Sequence, residues 1–362
     1  MAGLIAHEWI AQHGGAENVL DQMRLAFPDA DTTVLWNDAP DRFKSDRVSE
    51  SWMANTALRR HKALALPMMS STWRSVDVEG YDFVLTSSHL FAHHVGGRTA
   101  ARLPSFHYVH TPARMLWAPD QDPRGASIGA RALGPYLRKV DRGRVDKSAS
   151  FVANSQYIRD RVQKAWGVEA GVIYPPVRPM TRKTVLDEVE AEALSKLPET
   201  FILGASRFVE YKRLELVLEV AQRMGLPAVL AGDGPLRASF ERQQERLGDG
   251  LHLMVSPSDG LLRELFAAAS VFVFPPVEDF GIMPVEAMAV GTPVVVSPAG
   301  GASESVRIAH GGVVSEGASA GAFAEAVEEA LRLNMSDVPA VVQEAFSEQR
   351  FRRQVTDWIR NR

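Results

Sequence analysis

Short apolar runs alternating with amphipathic segments of helical period constrain this chain more than any other feature. In the second half the pattern predicts strands over residues 201–205, 227–231, 251–255, 271–274 and 293–297. Helices are predicted over 213–224, 235–247, 258–269 and 283–290. Strands that read as unbroken apolar runs are buried on both faces, so the expected fold class is α/β, with parallel sheets covered by helices. The first half repeats the style, with strands expected over 4–6, 33–36, 83–86, 105–109 and 151–153. At roughly 100 to 200 residues per domain, 362 residues argue for two such domains. Tyr174-Pro-Pro-Val177 breaks any helix and reads as the linker. A final helix over 347–362 is expected to carry Phe351, Val355 and Ile359 on one face.

Composition removes several function classes. The chain has no Cys, which excludes disulfides, thiolate metal sites and a Cys nucleophile and makes the reducing cytosol the expected compartment. Glu8 interrupts any signal-peptide core, and the longest uncharged run, 287–303, is broken by Gly291, Pro293, Pro298, Gly300 and Gly301, so no bilayer span is expected. Net charge is −4, with +3 over residues 1–175 and −7 over the rest. Basic residues cluster at Arg59, Arg60 and Lys62 and over 131–147. An acidic chain without a recognisable reader module argues against a nucleic-acid partner.

Three segments carry candidate chemistry. Glu278-Asp-Phe-Gly-Ile-Met-Pro-Val-Glu286 follows an apolar strand, with Gly281 suited to close backbone approach and Pro284 to a first helical turn. At the carboxyl end of a doubly wound sheet such carboxylates can accept hydrogen bonds from a vicinal diol, and adjacent helix N-terminal amides favour a phosphate. Ser206-Arg-Phe-Val-Glu-Tyr-Lys-Arg213 brings Arg207 and Lys212 to the same edge, where two cations can neutralise a diphosphate without a metal. Gly232-Asp-Gly234 adds a third turn. His7, Glu8 and His13 lack the spacing of a zinc site, and His89, His93 and His94 lack an evident carboxylate, so no metal is expected. Asp29-Ala-Asp31 and Asp120-Gln-Asp122 read as turns, the first preceding its strand.

These segments together resemble the retaining GT-B glycosyltransferases of family four, whose Glu-x7-Glu and Arg-x4-Lys pairs match Glu278 and Glu286, and Arg207 and Lys212. The resemblance extends to His7-Glu-Trp9, Gly14-Gly-Ala-Glu17, Tyr108-Val-His-Thr-Pro112, Asn154-Ser-Gln-Tyr-Ile158, Val172-Ile-Tyr-Pro-Pro-Val177 and Phe346-Ser-Glu-Gln-Arg-Phe351. It implies two Rossmann-like domains facing a cleft: 1–175 with the closing helix 347–362 for the acceptor, and 176–346 for a nucleotide-sugar donor. By the same resemblance Arg207 and Lys212 would hold the donor diphosphate, Glu286 the ribose, and Glu278 with the backbone of Phe280, Gly281 and Ile282 the transferred hexose. Gly14 and Gly15 would face the phosphate, Val255 would belong to the nucleobase loop, and His110 would lie at the reacting centre. The other reading of His110 is a hydrogen-bonded core histidine. Two departures are Ser206 in place of the usual Gly, and Met254-Val-Ser-Pro257, which lacks a Gly against the base.

The implied activity is metal-independent, cofactor-free transfer of a hexose with retention, from GDP-mannose by likeness to bacterial mannosyltransferases, or from another GDP- or UDP-hexose. The acceptor is expected to be a glycan or lipid-linked hydroxyl, with a small soluble molecule as the alternative. The cluster at Arg59, Arg60 and Lys62, followed by Ala63-Leu-Ala-Leu-Pro-Met-Met69, reads equally as a peripheral contact with the anionic inner face of the cell membrane or as an ordinary basic helix packing inward. A sugar-nucleotide epimerase and a non-catalytic nucleotide-sugar binder remain as rival classes.

Overall fold

The computed structural model describes residues 2–12, 14–43, 47–100, 102–119, 128–178 and 186–361. Contacts divide the chain into one unit of Met1–Pro176 with Glu348–Arg362 and another of Val177–Ser347. Each is an all-parallel sheet with helices between successive strands.

In the first unit the strands are β1 (Gly3–His7), β2 (Asp31–Val34), β3 (Val48–Glu50), β4 (Phe83–Ser88), β5 (Ser105–Val109), β6 (Ser150–Ala153) and β7 (Gly171–Val172). Their spatial order is β3-β2-β1-β4-β5-β6-β7, so the winding reverses between β1 and β4. Every residue of β1, β4 and β5 is buried, as central parallel strands require. The expected strand over 33–36 instead covers Asp31–Val34, because Asp31 to Val34 pair in register with Leu4 to His7 and the chain turns away at Leu35. Asp31 thus opens the strand rather than preceding it. Edge strands β3 and β7 escaped the sequence reading: they are short and, at Ser49, Glu50 and Gly171, exposed, so no apolar run marks them.

The final helix, Glu348–Arg360, buries Phe351, Val355 and Ile359 at helical spacing against the first unit. Trp358 Nε1 donates to Ser150 Oγ at 2.9 Å, and the Phe351 and Tyr108 rings lie 5.6 Å apart.

The second unit contains β8 (Ile202–Ala205), β9 (Ala228–Gly232), β10 (Leu251–Val255), β11 (Val271–Phe274), β12 (Val294–Val296) and β13 (Gly312–Val314). The order β10-β9-β8-β11-β12-β13 reverses between β8 and β11. Leu214–Met224 forms a helix whose Leu214, Val217, Leu218 and Ala221 recur three and four apart and are buried, and Gly225 stops it in the left-handed region. β13 was not foreseen, since its Gly312-Val-Val is too brief to stand out. Among the described residues, no helix is long and apolar enough to cross a membrane.

Candidate functional site

In an open parallel sheet, ligands bind beyond the carboxyl ends of the strands where the order reverses. In the second unit that point lies between β8 and β11, and the loops leaving these two strands carry Arg207, Lys212 and Glu278. Lys212 ends a single 3₁₀ turn, Glu210–Lys212, and the left-handed Arg213 (φ 55°) redirects the chain into the next helix. The Lys212 ammonium forms a salt bridge with Glu278 Oε1, and both side chains are largely buried, at 13% and 18% exposure. The Arg207 guanidinium donates to the Tyr211 hydroxyl, and the Tyr211 ring centroid lies 5.2 Å from Lys212 Nζ. Arg207, Lys212 and Glu278 are therefore brought to one place. Tyr211, between the cations, was missed because nothing in its spacing distinguishes it.

Glycines allow the loops to approach. A Cβ on Gly232 (φ 144°) would lie 1.9 Å from the Ser206 carbonyl oxygen, and one on Gly234 (φ 153°) 2.7 Å from that of Phe208, so Gly232-Asp-Gly234 packs directly beneath the Arg207 loop. Gly300 and Gly301 support the Glu278 loop in the same way: Gly301 N donates to the Glu278 carbonyl at 2.8 Å, and a Cβ on Gly301 would meet the Asp279 oxygen at 2.3 Å. This pair had been noted only as a break in an apolar run.

Gly281 (φ 81°) precedes the helix Ile282–Ala289, whose first turn holds Ile282 and Pro284. Phe280 is buried, its ring 5.7 Å from Phe346. Glu286 lies one turn along. Burial first, and the negative charge of Asp259 second, raise its carboxyl to about 7, against a smaller opposing pull from Arg178. Val255 ends β10, followed by Ser256 in the left-handed region (φ 48°), whose hydroxyl donates to Asp233 at 2.8 Å.

In the first unit the reversal falls between β1 and β4, where His7 and Ser87 pair in register. His7 Nδ1 lies 3.0 Å from Ser87 Oγ, which lies 2.8 Å from His110 Nε2. Burial depresses His7 to about 4 and His110 to about 3, so both are neutral at physiological pH. Gly14 caps the helix Gly15–Ala26, and a Cβ there would meet Glu17 Oε2 at 2.0 Å; Glu17 turns back to accept from Ala11 N at 3.1 Å. Glu8 is fully buried, its Oε1 accepting from the amides of Leu90, Phe91 and Ala92 at 2.6–2.9 Å and its Oε2 from Trp73 Nε1. It ties β1 to the turn after β4.

Two sequence expectations are corrected here. His93 and His94 do have a carboxylate: Asp141 Oδ1 lies 3.1 Å from Nε2 of each, while Oδ2 accepts from Trp117 and Trp166 at 2.7 and 2.8 Å. The carboxylate comes from a distant helix and so was invisible in local spacing. All three residues are buried with their ligand atoms within 4.8 Å of one another, but His93 Nε2 and the two indole N–H groups hydrogen-bond the Asp141 oxygens, which gives the carboxylate a structural explanation. Second, Asp31 bonds to Tyr81 and Arg47 within its own unit. In the basic cluster Arg60 and Lys62 are exposed, while Arg59 binds Asp38 and the Asn37 carbonyl, both at 2.7 Å, and Lys62 Nζ lies 4.1 Å over the Trp9 ring. His13, Asp120, Asp122 and the Arg131 side chain lie outside the described residues.

Comparison with known proteins agrees with this construction. Two parallel sheets of this type, each with its strand order reversing at one point, are the GT-B glycosyltransferase fold. Residues 13–179 match the family described as Glycosyltransferase Family 4, and residues 187–347 match Glycosyl transferases group 1, so the two families meet in one chain. HepE of Anabaena in complex with UDP-glucose superposes with a TM-score of 0.70 at 18% identity, covering 100% of both chains. Sucrose-phosphate synthase from Thermosynechococcus elongatus gives 0.71 at 19% identity, covering 100% of this chain and 99% of the other. D-inositol 3-phosphate glycosyltransferase of Streptomyces bingchenggensis is 26% identical over 262 residues, 66% of this chain. The chain spans 56% of the length of that relative.

Proposed function

We propose that the protein is a hexosyltransferase that moves a sugar from a nucleoside diphosphate hexose to an acceptor hydroxyl with retention at the anomeric carbon. The observation that carries this reading is the juxtaposition of Lys212, Arg207 and Glu278 at the strand-order reversal, with Glu286 one helical turn further on. In the proposed reaction Lys212 turns from Glu278 to the donor diphosphate and, with Arg207, stabilises the charge that develops on the leaving phosphate. No metal is needed for that step. Glu278, released from Lys212, accepts hydrogen bonds from the hexose beside the amides of Phe280, Gly281 and Ile282, and Glu286 accepts those of the ribose. The leaving phosphate takes the acceptor proton as the hydroxyl attacks the same face. His110, in the first unit, is neutral and can offer a ligand there a hydrogen bond rather than a charge.

GDP-mannose is the proposed donor from the sequence resemblance. A UDP-hexose is the second reading, favoured by the UDP-glucose held by HepE. The acceptor is proposed to be a glycan or lipid-linked hydroxyl. The name of the curated relatives favours a small phosphorylated polyol as the alternative. Peripheral binding to an anionic membrane would rest on Arg60 with exposed Leu64 (68%) and Met68 (37%), since Arg59 and Lys62 have partners within the unit.

The test is to incubate purified protein, with excess chelator, with GDP-mannose or UDP-glucose and candidate acceptors, and to read the anomeric configuration of the product by NMR. An α-linked product from these α-configured donors is expected; a β-linked product overturns the mechanism, and loss of turnover with chelator overturns its metal independence. Turnover of donor with no acceptor, giving an isomerised sugar nucleotide, would replace the reading with an epimerase.

A further inference from the structure

Three residues from three adjacent strands meet at the order reversal of the first unit: His7 at the end of β1, Ser87 in β4 and His110 just after β5. The backbone holds them there, because His7 and Ser87 are register partners and His110 N donates to the Ser88 carbonyl at 2.8 Å. One hydroxyl sits between two imidazoles, at 3.0 Å from His7 Nδ1 and 2.8 Å from His110 Nε2. Among the described residues Ser87 Oγ has no third partner. Its single proton therefore goes to one ring, and it accepts from the other. The tautomers of His7 and His110 are coupled through it.

The surroundings of His7 decide the direction. His7 is fully buried, and its Nε2 has no hydrogen-bond partner, so a proton there would be a buried, unsatisfied donor. With Nε2 unpartnered, the proton belongs on Nδ1, which has the Ser87 hydroxyl beside it. His7 Nδ1–H then donates to Ser87, and the Ser87 hydroxyl donates to His110 Nε2. We infer that Ser87 and His7 are positioning residues that fix His110 as the Nδ1–H tautomer, presenting a hydrogen-bond donor to a ligand oxygen bound beyond the carboxyl ends of the first unit's strands. Among the described residues His110 Nδ1 makes no hydrogen bond, and His110 keeps 9% exposure, whereas His7 keeps none. The role toward a ligand rests on the transferase reading above; the tautomer assignment does not.

The experiment is long-range ¹H–¹⁵N NMR on histidine-labelled full-length protein near pH 7, with His110 assigned by comparison with His110→Gln. The wild type is expected to show a pyrrole-type His110 Nδ1 and a pyridine-type Nε2, with the same pattern for His7 except that its Nε2 is bare. Ser87→Ala should move His110 toward the Nε2–H form or a mixture, and Ser87→Thr, which keeps the hydroxyl, should restore the wild-type pattern. A wild-type His110 protonated on Nε2 overturns the relay, as does a Ser87→Ala variant whose His110 is unchanged. If Ser87→Ala does not fold, the wild-type spectrum decides alone. Kinetics test the role separately. With the tautomer confirmed, Ser87→Ala should lower kcat/KM for the nucleotide sugar about tenfold while leaving the Kd of the free nucleoside diphosphate unchanged, and Ser87→Thr should recover most of it. An equal loss in both quantities, or in neither, refutes the positioning role.

Discussion

Glu286 gives the donor site a pH dependence that can be calculated. To accept two hydrogen bonds from a ribose diol the carboxyl must be ionised, yet in the free protein burial and Asp259 hold it at about 7. Binding must then remove the proton, so the apparent Kd carries the fraction of protein already ionised. On that basis affinity at pH 5.5 should be about 30-fold weaker than above pH 8, and binding at pH 7 should release about half a proton. A nucleotide sugar is the right probe because each of its phosphates is capped by one ester and one anhydride linkage and does not titrate in this range, whereas the terminal phosphate of a free diphosphate does. Calorimetry in buffers of different ionisation enthalpy reads both quantities, and Glu286→Gln should flatten both while weakening binding at high pH. The same burial has a stability consequence of opposite sign. A carboxyl raised in the folded state stabilises the fold below its unfolded value of 4.5, and that contribution is lost as pH rises through about 7. Glu286→Gln should therefore be more stable than wild type at pH 8, by up to about 3 kcal/mol in urea unfolding. A Kd that is flat between pH 5.5 and 8.5, or a slope that survives Glu286→Gln, would refute the assignment of Glu286 to the ribose.

Further outcomes follow from the same geometry. Lys212→Ala and Arg207→Ala should each reduce turnover by about 100-fold or more, the scale for removing one stabiliser of a developing charge; steady-state kinetics showing either variant near wild type would remove the diphosphate assignment. Gly300→Ala, whose Cβ would sit 2.8 Å from the Glu278 oxygen at φ 97°, should cost about 1–3 kcal/mol in chemical unfolding and slow sugar transfer more than it weakens nucleotide binding. Asp141→Asn sets an amide N–H₂ against the N–H groups of His93, Trp117 or Trp166, and should cost about 2–5 kcal/mol in urea unfolding. Burial alone would raise the Asp141 carboxyl, but the bonds from His93 and His94 outweigh it and hold it below the usual range. Its stabilising contribution is thus present at neutral pH and disappears only on strong acidification, and an Asn variant with unchanged stability would contradict this.

How much was legible in the sequence varied with the physics of each element. The central strands Ser105–Val109 and Val271–Phe274 were read with their bounds, because every residue in them is buried and apolar residues dominate both faces. Edge strands β3, β7 and β13 carry no such mark, since pairing with a neighbour's backbone is indifferent to side chains. The candidate residues Arg207, Lys212 and Glu278 could be picked out because they sit at short spacings on loops that leave adjacent strands, with Glu286 on the helix that follows. What remained hidden were partners supplied from afar: Asp141 for His93 and His94, Ser87 for His7 and His110, Gly300 and Gly301 beneath Glu278. Sequence separations of 47 or 80 residues are closed only by the sheet order, which a single chain does not spell out. The basic cluster shows the same limit: sequence alone does not reveal Asp38 and the Trp9 ring as partners of Arg59 and Lys62.

The central claim, that the second unit's loops form a nucleoside diphosphate hexose site, is tested most directly by calorimetry of the wild-type chain against GDP, UDP and ADP, repeated with Lys212→Ala. Binding of one diphosphate per chain is predicted, with a clear preference among the three bases and a loss of affinity in the variant. No binding of any of the three at millimolar concentration, or binding that Lys212→Ala leaves untouched, would contradict it.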